Sequence, residues 1–366
     1  MSQALTPFPT DSDGAACAMP GSGSTDGAAC AMPGVGASGA GVAAGGSAGD
    51  WKAEMDDAGR FRRQQSAFRD TVTADGSSGF PAEAGRYHLY ACYACPWASR
   101  VIIARALKGL EDAIPMTVVD PIRFDEGWAF AKAGVGPADA AVDDDPLHGW
   151  TYLSEAYAAS DPAFAGRVTV PVLWDTVTGR IVNNESSEII RMLNTEFDAF
   201  AKRPDVDLYP EPLRDEIDAL NEWIYATVNN GVYAAGFATT QSAYEEAVTA
   251  LFASLDRLEA ILADRRYLTG DAITEADWRL FVTLVRFDPV YVGHFKCNVR
   301  RIQDHPNLWA YTRDLYQQPG IAETVNHDHI KRHYYGTHTT INPTLVVPVG
   351  PEIDWDAPHG REALGG

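Results

Sequence analysis

Arg86 to Tyr93 reads as an aromatic-rich strand, and Cys95-Pro96 follows it at once. From Trp97 to Leu107 the spacing is that of a helix, with Pro96 at or near its first turn, where a missing N–H costs little. A cysteine wedged between a strand and a helix N-terminus restricts what the rest of the chain can build. Met116 to Val119 is a short β-branched strand, and a long insertion fills most of 121–165. That insertion carries Gly, Pro and the acidic run Asp143-Asp144-Asp145. Val168 to Trp174 reads as a third strand interrupted by Pro171, a residue confined to edges or bends because it cannot donate to the ladder. Asp175 to Gly179 is a hairpin turn, Arg180 to Asn183 pairs back, and Ser186 to Phe197 has helical spacing. The order β-α-β, insertion, β-β-α specifies a small mixed sheet with helices on its faces.

From Pro210 the pattern turns to helices alone. Leu213–Val228, Ala243–Leu262 and Glu275–Val285 carry apolar residues three and four apart, and Thr274 with Asp277 forms a capping-box pattern. Past about Tyr335 the periodicity is lost. The expected organisation is a low-complexity, disordered tail over 1–50 and a mixed α/β domain over 51–205. An all-α domain over 206–335 and an extension over 336–366 follow. The tail duplicates Asp13–Gly21 as Asp26–Gly34, too short and aperiodic for a solenoid. Its Cys17 and Cys30 read as part of that duplication rather than as a metal or redox pair.

The chain of 366 residues has a net charge of −21, which excludes a general nucleic-acid binder and disfavours anionic membranes. No apolar run approaches the roughly 18 residues that span a bilayer. The first residues lack the basic and apolar regions of a secretory signal, and five cysteines make an odd count for a disulfide framework. A reducing cytoplasm is the expected location.

Chemistry concentrates at Cys95. Helix N-terminal N–H groups and the positive end of the macrodipole favour a thiolate, the nucleophile that opens a sulfur–sulfur or thioether bond. Position 98 is alanine, so a dithiol starting at Cys95 is excluded and an external thiol must resolve the intermediate. Cys92 reads as buried strand filler, with a second redox thiol as the sharper alternative. Val170-Pro171 looks like a cis-proline site that turns the Val170 backbone outward. Glu185 and Ser186 open a helix, where they suit an amine and a carboxylate, although plain N-capping explains Ser186 equally well. His327, His329, His333 and Cys297 lack any diagnostic metal spacing, so no metal is expected.

With these residues in place the chain resembles the glutathione transferases, specifically the Xi class of glutathionyl-hydroquinone reductases. The resemblance rests on Tyr87–Tyr90, Cys95-Pro96-Trp97-Ala98, Gly127-Trp128, Val168–Val172 and Asn184-Glu185-Ser186. It continues through Val228–Tyr233, Arg286–Tyr291, His294–Cys297 and His329–Tyr334, and covers roughly 51–361. It implies an N-terminal thioredoxin-like domain followed by a helical glutathione-transferase domain. It also implies thiol-dependent reduction of glutathionyl-hydroquinones through a Cys95 mixed disulfide, with glutathione as co-substrate. Trp128, Val170, Glu185 and Ser186 are then expected to hold glutathione, and Tyr233 and Tyr334 to bond the hydroquinone and help protonate its ring carbon. Without the resemblance these tyrosines read as core or surface aromatics, and Trp128 as packing. The family implies a homodimer through the helical domain. The acidic, arginine-rich composition also suits lineages that use γ-glutamylcysteine or mycothiol. The low-complexity tail has no counterpart in the family pattern. The other readings are a broader Omega-like thioltransferase or dehydroascorbate reductase, and a non-catalytic assembly module of the same fold.

Overall fold

A computed structural model of the chain describes residues 54–123 and 126–364. The expected disordered tail, with Cys17 and Cys30, lies outside the described residues. A four-stranded sheet is built from β1 (Tyr87–Ala91), β2 (Met116–Val118), β3 (Val172–Asp175) and β4 (Arg180–Asn183), in the order β2-β1-β3-β4. β1 runs parallel to β2 and antiparallel to β3, which pairs antiparallel with β4. Every residue of β1 is buried, as expected of a central strand covered on both faces. α1 (Pro96–Lys108) packs against α3 (Ser186–Thr195), and α2 (Ser154–Ser160) against β4.

β3 is shorter than the sequence suggests. It begins at Val172, after the cis Val170–Pro171 bond, and Val168–Pro171 lies outside the ladder because Pro171 has no N–H to donate. The hairpin turns at Gly179, whose φ of 66° suits a residue without Cβ, and Asp175 ties it to β1. Arg86 donates to both oxygens of the buried Asp175 carboxylate at 2.9 and 2.8 Å. Removing one partner of such a buried pair costs about 3–5 kcal/mol.

The insertion is tethered rather than loose. Val118 N–H donates to the Asp143 carboxylate (2.9 Å). The Asp145 carboxylate accepts from the Tyr90 hydroxyl (2.8 Å) and from backbone N–H groups of 147, 148 and 150. The acidic run therefore organises this segment, and Leu153 N–H bonding Trp128 O (2.9 Å) sets the position of Trp128.

The helical half contains α4 (Arg214–Ile224), α5 (Gly231–Phe237), α6 (Gln241–Ile261), α7 (Glu275–Arg286), α8 (Pro306–Tyr316) and α9 (His327–Thr337). The helix expected over 213–228 ends at Ile224, and a π turn over Tyr225–Asn229 leads into α5. The Asn229 side chain leaves the helix pattern to bond Arg279 O, Thr283 Oγ1 and Arg100. The capping box at Thr274 and Asp277 forms as read, a cap worth about 1 kcal/mol. α5, α8 and α9 were not legible: α9 is mostly polar, and its buried face consists of His329, Ile330, His333 and Tyr334. After α9 the chain runs back over the helices, and Trp355 stacks on Tyr316 and His327 while buried Arg361 bonds carbonyls at the end of α6. One continuous apolar core links sheet and helices.

Candidate active site

The junction between β1 and α1 places Cys95 at the N-cap of α1, 9% exposed, with Pro96 opening the helix. The Cys95 thiol donates to Val170 O at 3.5 Å, and Cys95 N–H bonds Cys92 O at 3.1 Å. The reading of Cys95 as a favoured thiolate needs one correction. Burial is the largest influence and pushes the thiol up from its ordinary value. The N–H groups of Ala98 and Trp97 and the charges of Arg286 and Arg63 pull it back only in part. Cys92 is fully buried and pushed up by desolvation, consistent with filler at the strand end.

Two cavities meet beside this cysteine, sharing Arg63, Trp97, Arg167, Thr169 and Val170 as walls. The first is lined mainly by polar residues and runs to the start of α3, where Asn184, Glu185 and Ser186 line it. Glu185 is the N-cap: its carboxylate accepts from Ser187 N–H at 3.1 Å and from the Ser66 hydroxyl at 3.0 Å. Ser186 is the first helical residue, and its hydroxyl lies 3.5 Å from Arg100. The cap is therefore Glu185, and Ser186 lines the cavity without capping the helix. Such a helix start binds carboxylates through its unpaired N–H groups.

The second cavity contains Cys95, and half of its lining is aromatic rings and imidazoles, with Arg63, Arg123 and Arg167 among the rest. Tyr233 and Tyr334 lie in its wall with hydroxyls 2.6 Å apart, although 101 residues separate them in sequence. Tyr291 completes a chain, its hydroxyl 3.0 Å from that of Tyr334. Burial raises all three phenols, so each remains a neutral O–H donor. Trp128 lines this cavity rather than the polar groove, stacked on His333 with ring centres 5.1 Å apart. Arg63 spans both cavities, its guanidinium 4.6 Å from the Tyr233 ring centre and 4.8 Å from that of Trp97.

Of the expected site residues, Cys95, Trp128, Val170, Tyr233 and Tyr334 line one cavity and Val170, Glu185 and Ser186 the other, so Trp128, expected beside Glu185 and Ser186, lies with the cysteine and phenols instead. Sequence reasoning gave Trp128, Tyr233 and Tyr334 their roles through the family resemblance. It missed Tyr291, although the Phe287–Tyr291 segment was in view, because a π turn rather than regular helix delivers it. It also missed Arg63 and His338, which no local pattern marks. His338 pairs with His294 at 3.0 Å, and burial holds both imidazoles neutral, His294 down to about 4. The weighed histidine cluster disperses: His327 stacks on Trp355, His329 bonds Asp139 at 2.9 Å, and His333 bonds Pro121 O at 2.7 Å. Among the described residues no three His, Cys, Asp or Glu are arranged to hold a metal ion, and no helix is long and apolar enough to cross a membrane.

Comparison with known proteins agrees with this geometry. Residues 94–196 match the glutathione S-transferase N-terminal domain, and residues 241–314 its C-terminal domain. The chain is 54% identical over 318 residues to the glutathionyl-hydroquinone reductase YqjG of Escherichia coli, covering 85% of this chain and 95% of that protein. It is 52% identical to the glutathionyl-hydroquinone reductase PcpF of Sphingobium chlorophenolicum, covering 82% and 93%. The structure matches glutathione-bound YqjG with a TM-score of 0.77 at 55% identity, over 81% of this chain and 96% of that one. The Xi-class transferase of Natrialba magadii superposes with a TM-score of 0.78 at 53% identity, over 81% and 89%.

Proposed function

The chain belongs to the glutathione S-transferase family, and within it to the Xi-class glutathionyl-hydroquinone reductases; from that premise we infer that it reduces glutathionyl-hydroquinones with glutathione. The observation that carries the reading is a cysteine at a helix N-terminus in a cavity whose wall holds two bonded phenols, Tyr233 and Tyr334, backed by a third, Tyr291.

In the first step the Cys95 thiol loses its proton and attacks the thioether sulfur of the conjugate. A sulfur–sulfur bond forms as the aryl carbon–sulfur bond breaks, and that carbon leaves with the electron pair and takes a proton. The hydroquinone departs, leaving a Cys95–glutathione mixed disulfide. A second glutathione thiolate then attacks this disulfide, releasing oxidised glutathione and regenerating Cys95. Two thiol sulfurs thus supply the two electrons that reduce the ring carbon.

Ser186, Glu185 and the start of α3 hold the γ-glutamyl end, and the outward Val170 backbone pairs with the peptide. Trp128 closes the cavity over the sulfur. Tyr233 and Tyr334 donate to the ring oxygens and stabilise charge developing on the ring as it is protonated. Val170 O, already within reach of the thiol, orients Cys95. The protein acts as a cytoplasmic homodimer joined through its helical half, and its thiol is glutathione rather than γ-glutamylcysteine or mycothiol.

Incubating the purified protein with glutathionyl-menadiol and glutathione, and following menadiol by chromatography, tests the reading. Steady release of menadiol with one oxidised glutathione per turnover is expected. Turnover only with conjugates of γ-glutamylcysteine or mycothiol would replace the co-substrate and keep the mechanism. No turnover with any of the three would overturn the assignment.

A further inference from the structure

Arg286 ends α7 and is 1% exposed. Its guanidinium donates to Val282 O at 2.7 Å, Ala94 O at 3.1 Å, Tyr93 O at 2.8 Å and Ser99 Oγ at 2.6 Å. Ser99 passes the contact on, its hydroxyl donating to Cys95 O at 3.1 Å. One side chain therefore grips the carbonyls of residues 93 and 94 directly and that of residue 95 through a hydroxyl. All four acceptors are neutral, and among the described residues no carboxylate forms an ion pair with Arg286. Buried Arg100 and Arg361 likewise form no ion pair among the described residues, but Arg361 bonds carbonyls far from the cleft, whereas Arg286 bonds the carbonyls of the turn that bears Cys95. A buried cation without a counter-ion is costly, and here its donors are spent on the turn that carries the nucleophile.

Cys95 offers the reason, because a thiolate forms beside this charge in each turnover. We propose that Arg286 is a positioning residue for the Cys95 chemistry, holding the Tyr93–Cys95 turn in register and supplying the standing positive charge that the forming thiolate meets. The placement has a second consequence. The π turn that starts at the next residue, Phe287–Tyr291, delivers the Tyr291 hydroxyl to Tyr334. Arg286 therefore joins the nucleophile's turn to the segment that completes the tyrosine chain, so sulfur and phenols are held to one frame. The other groups that act electrostatically on or with Cys95 are Arg63 from the lead-in, Arg123 from the insertion, Tyr233 from α5 and Cys92 in its own turn. Arg286 acts on Tyr233 as well, so the shift is read at Cys95 itself through its labelled peptide.

The inference rests on Cys95 being the nucleophile, and its first readout does not require hydroquinone turnover. The rate of Cys95 alkylation by iodoacetamide is measured against pH, with the labelled peptide identified by mass spectrometry, in wild type, Arg286→Met and Arg286→Lys. Menadiol release is measured alongside. In Arg286→Met the apparent thiol pKa rises by about 1 unit and kcat falls about tenfold, with KM for the conjugate within about twofold. Arg286→Lys keeps the charge but not the planar fork, so its alkylation profile stays near wild type while kcat falls. If the methionine variant does not fold, the lysine variant decides: a wild-type profile with reduced kcat upholds the proposal. Wild-type alkylation and kcat in every folded variant, with only a lowered melting temperature, would overturn it and leave Arg286 a structural residue. Absent turnover in the wild type would remove the reductase reading while leaving the alkylation result to judge Arg286.

Discussion

The two halves of the cleft are built in opposite ways. In the polar groove the start of α3 is shaped by near neighbours, Glu185 capping its own helix through Ser187 and Asn183 accepting from Glu185 N–H at 2.7 Å, with Ser66 and Arg100 as the distant partners. In the aromatic cavity the contacts are long-range, since α5, the π turn after α7 and α9 each contribute one tyrosine to a single hydroxyl chain. The groove presents fixed donors and a helix end, suited to a ligand part that is the same in every turnover. The cavity presents neutral phenols and imidazoles around a thiol, suited to a part whose charge changes during reaction. On the proposed function recognition and reactivity are separable, with Val170 in the shared wall at their seam and Cys95 beside it.

Predictions can break or sharpen that separation. The largest effect belongs to the seam: Cys95→Ala should lower menadiol release by at least about 10⁴-fold, whereas Cys92→Ala should leave it within about twofold. Next comes the cavity. Tyr334→Phe removes the hub of the hydroxyl chain and should cut kcat for the conjugate about 10²-fold. The same variant should reduce a simple glutathione mixed disulfide at the wild-type rate, because no ring carbon is protonated there. Equal losses on both substrates would erase the division between the halves.

Replacing Ser186 with alanine tests the groove, with KM for glutathione rising about tenfold, or about 1.4 kcal/mol, and kcat nearly unchanged. The smallest effect concerns acid stability. Burial lowers His294 to about 4 and His333 to about 3, so both fold preferentially neutral. Their stabilising contribution is whole above the ordinary histidine value near 6.5 and is lost as pH falls toward 4. The melting temperature should therefore be level from pH 7 to 8 and fall by several degrees between pH 6.5 and 4.5. A level melting temperature down to pH 4.5 would show that these imidazoles do not resist protonation.

The same contrast explains what could be read from residues alone. The strand–Cys–Pro–helix junction, the Val170–Pro171 bend and the Glu185–Ser186 helix start are each contiguous, and their local chemistry dictates their conformation. Tyr233 and Tyr334 gained a role only through the family resemblance, because nothing in helical spacing says which aromatics converge. Tyr291 and Arg286 lie just past the helix read over 275–285, in a stretch that carries the family resemblance without a role for either, and only the π turn and the packing of α7 on α1 reveal their partners. Reading Cys95 as a favoured thiolate weighed the helix end, which is local, and not burial, which is set by the whole cavity. Glu185 rather than Ser186 is the cap, because its longer side chain reaches Ser187 from the preceding position.

The most direct test of the account is a single turnover without free thiol. The protein is mixed with excess glutathionyl-menadiol, quenched, and examined by intact-protein and peptide mass spectrometry while menadiol is counted. The account predicts one menadiol released per chain and one glutathionyl group, all of it on the peptide bearing Cys95. Menadiol released without that adduct, or with the adduct on Cys92, would contradict it.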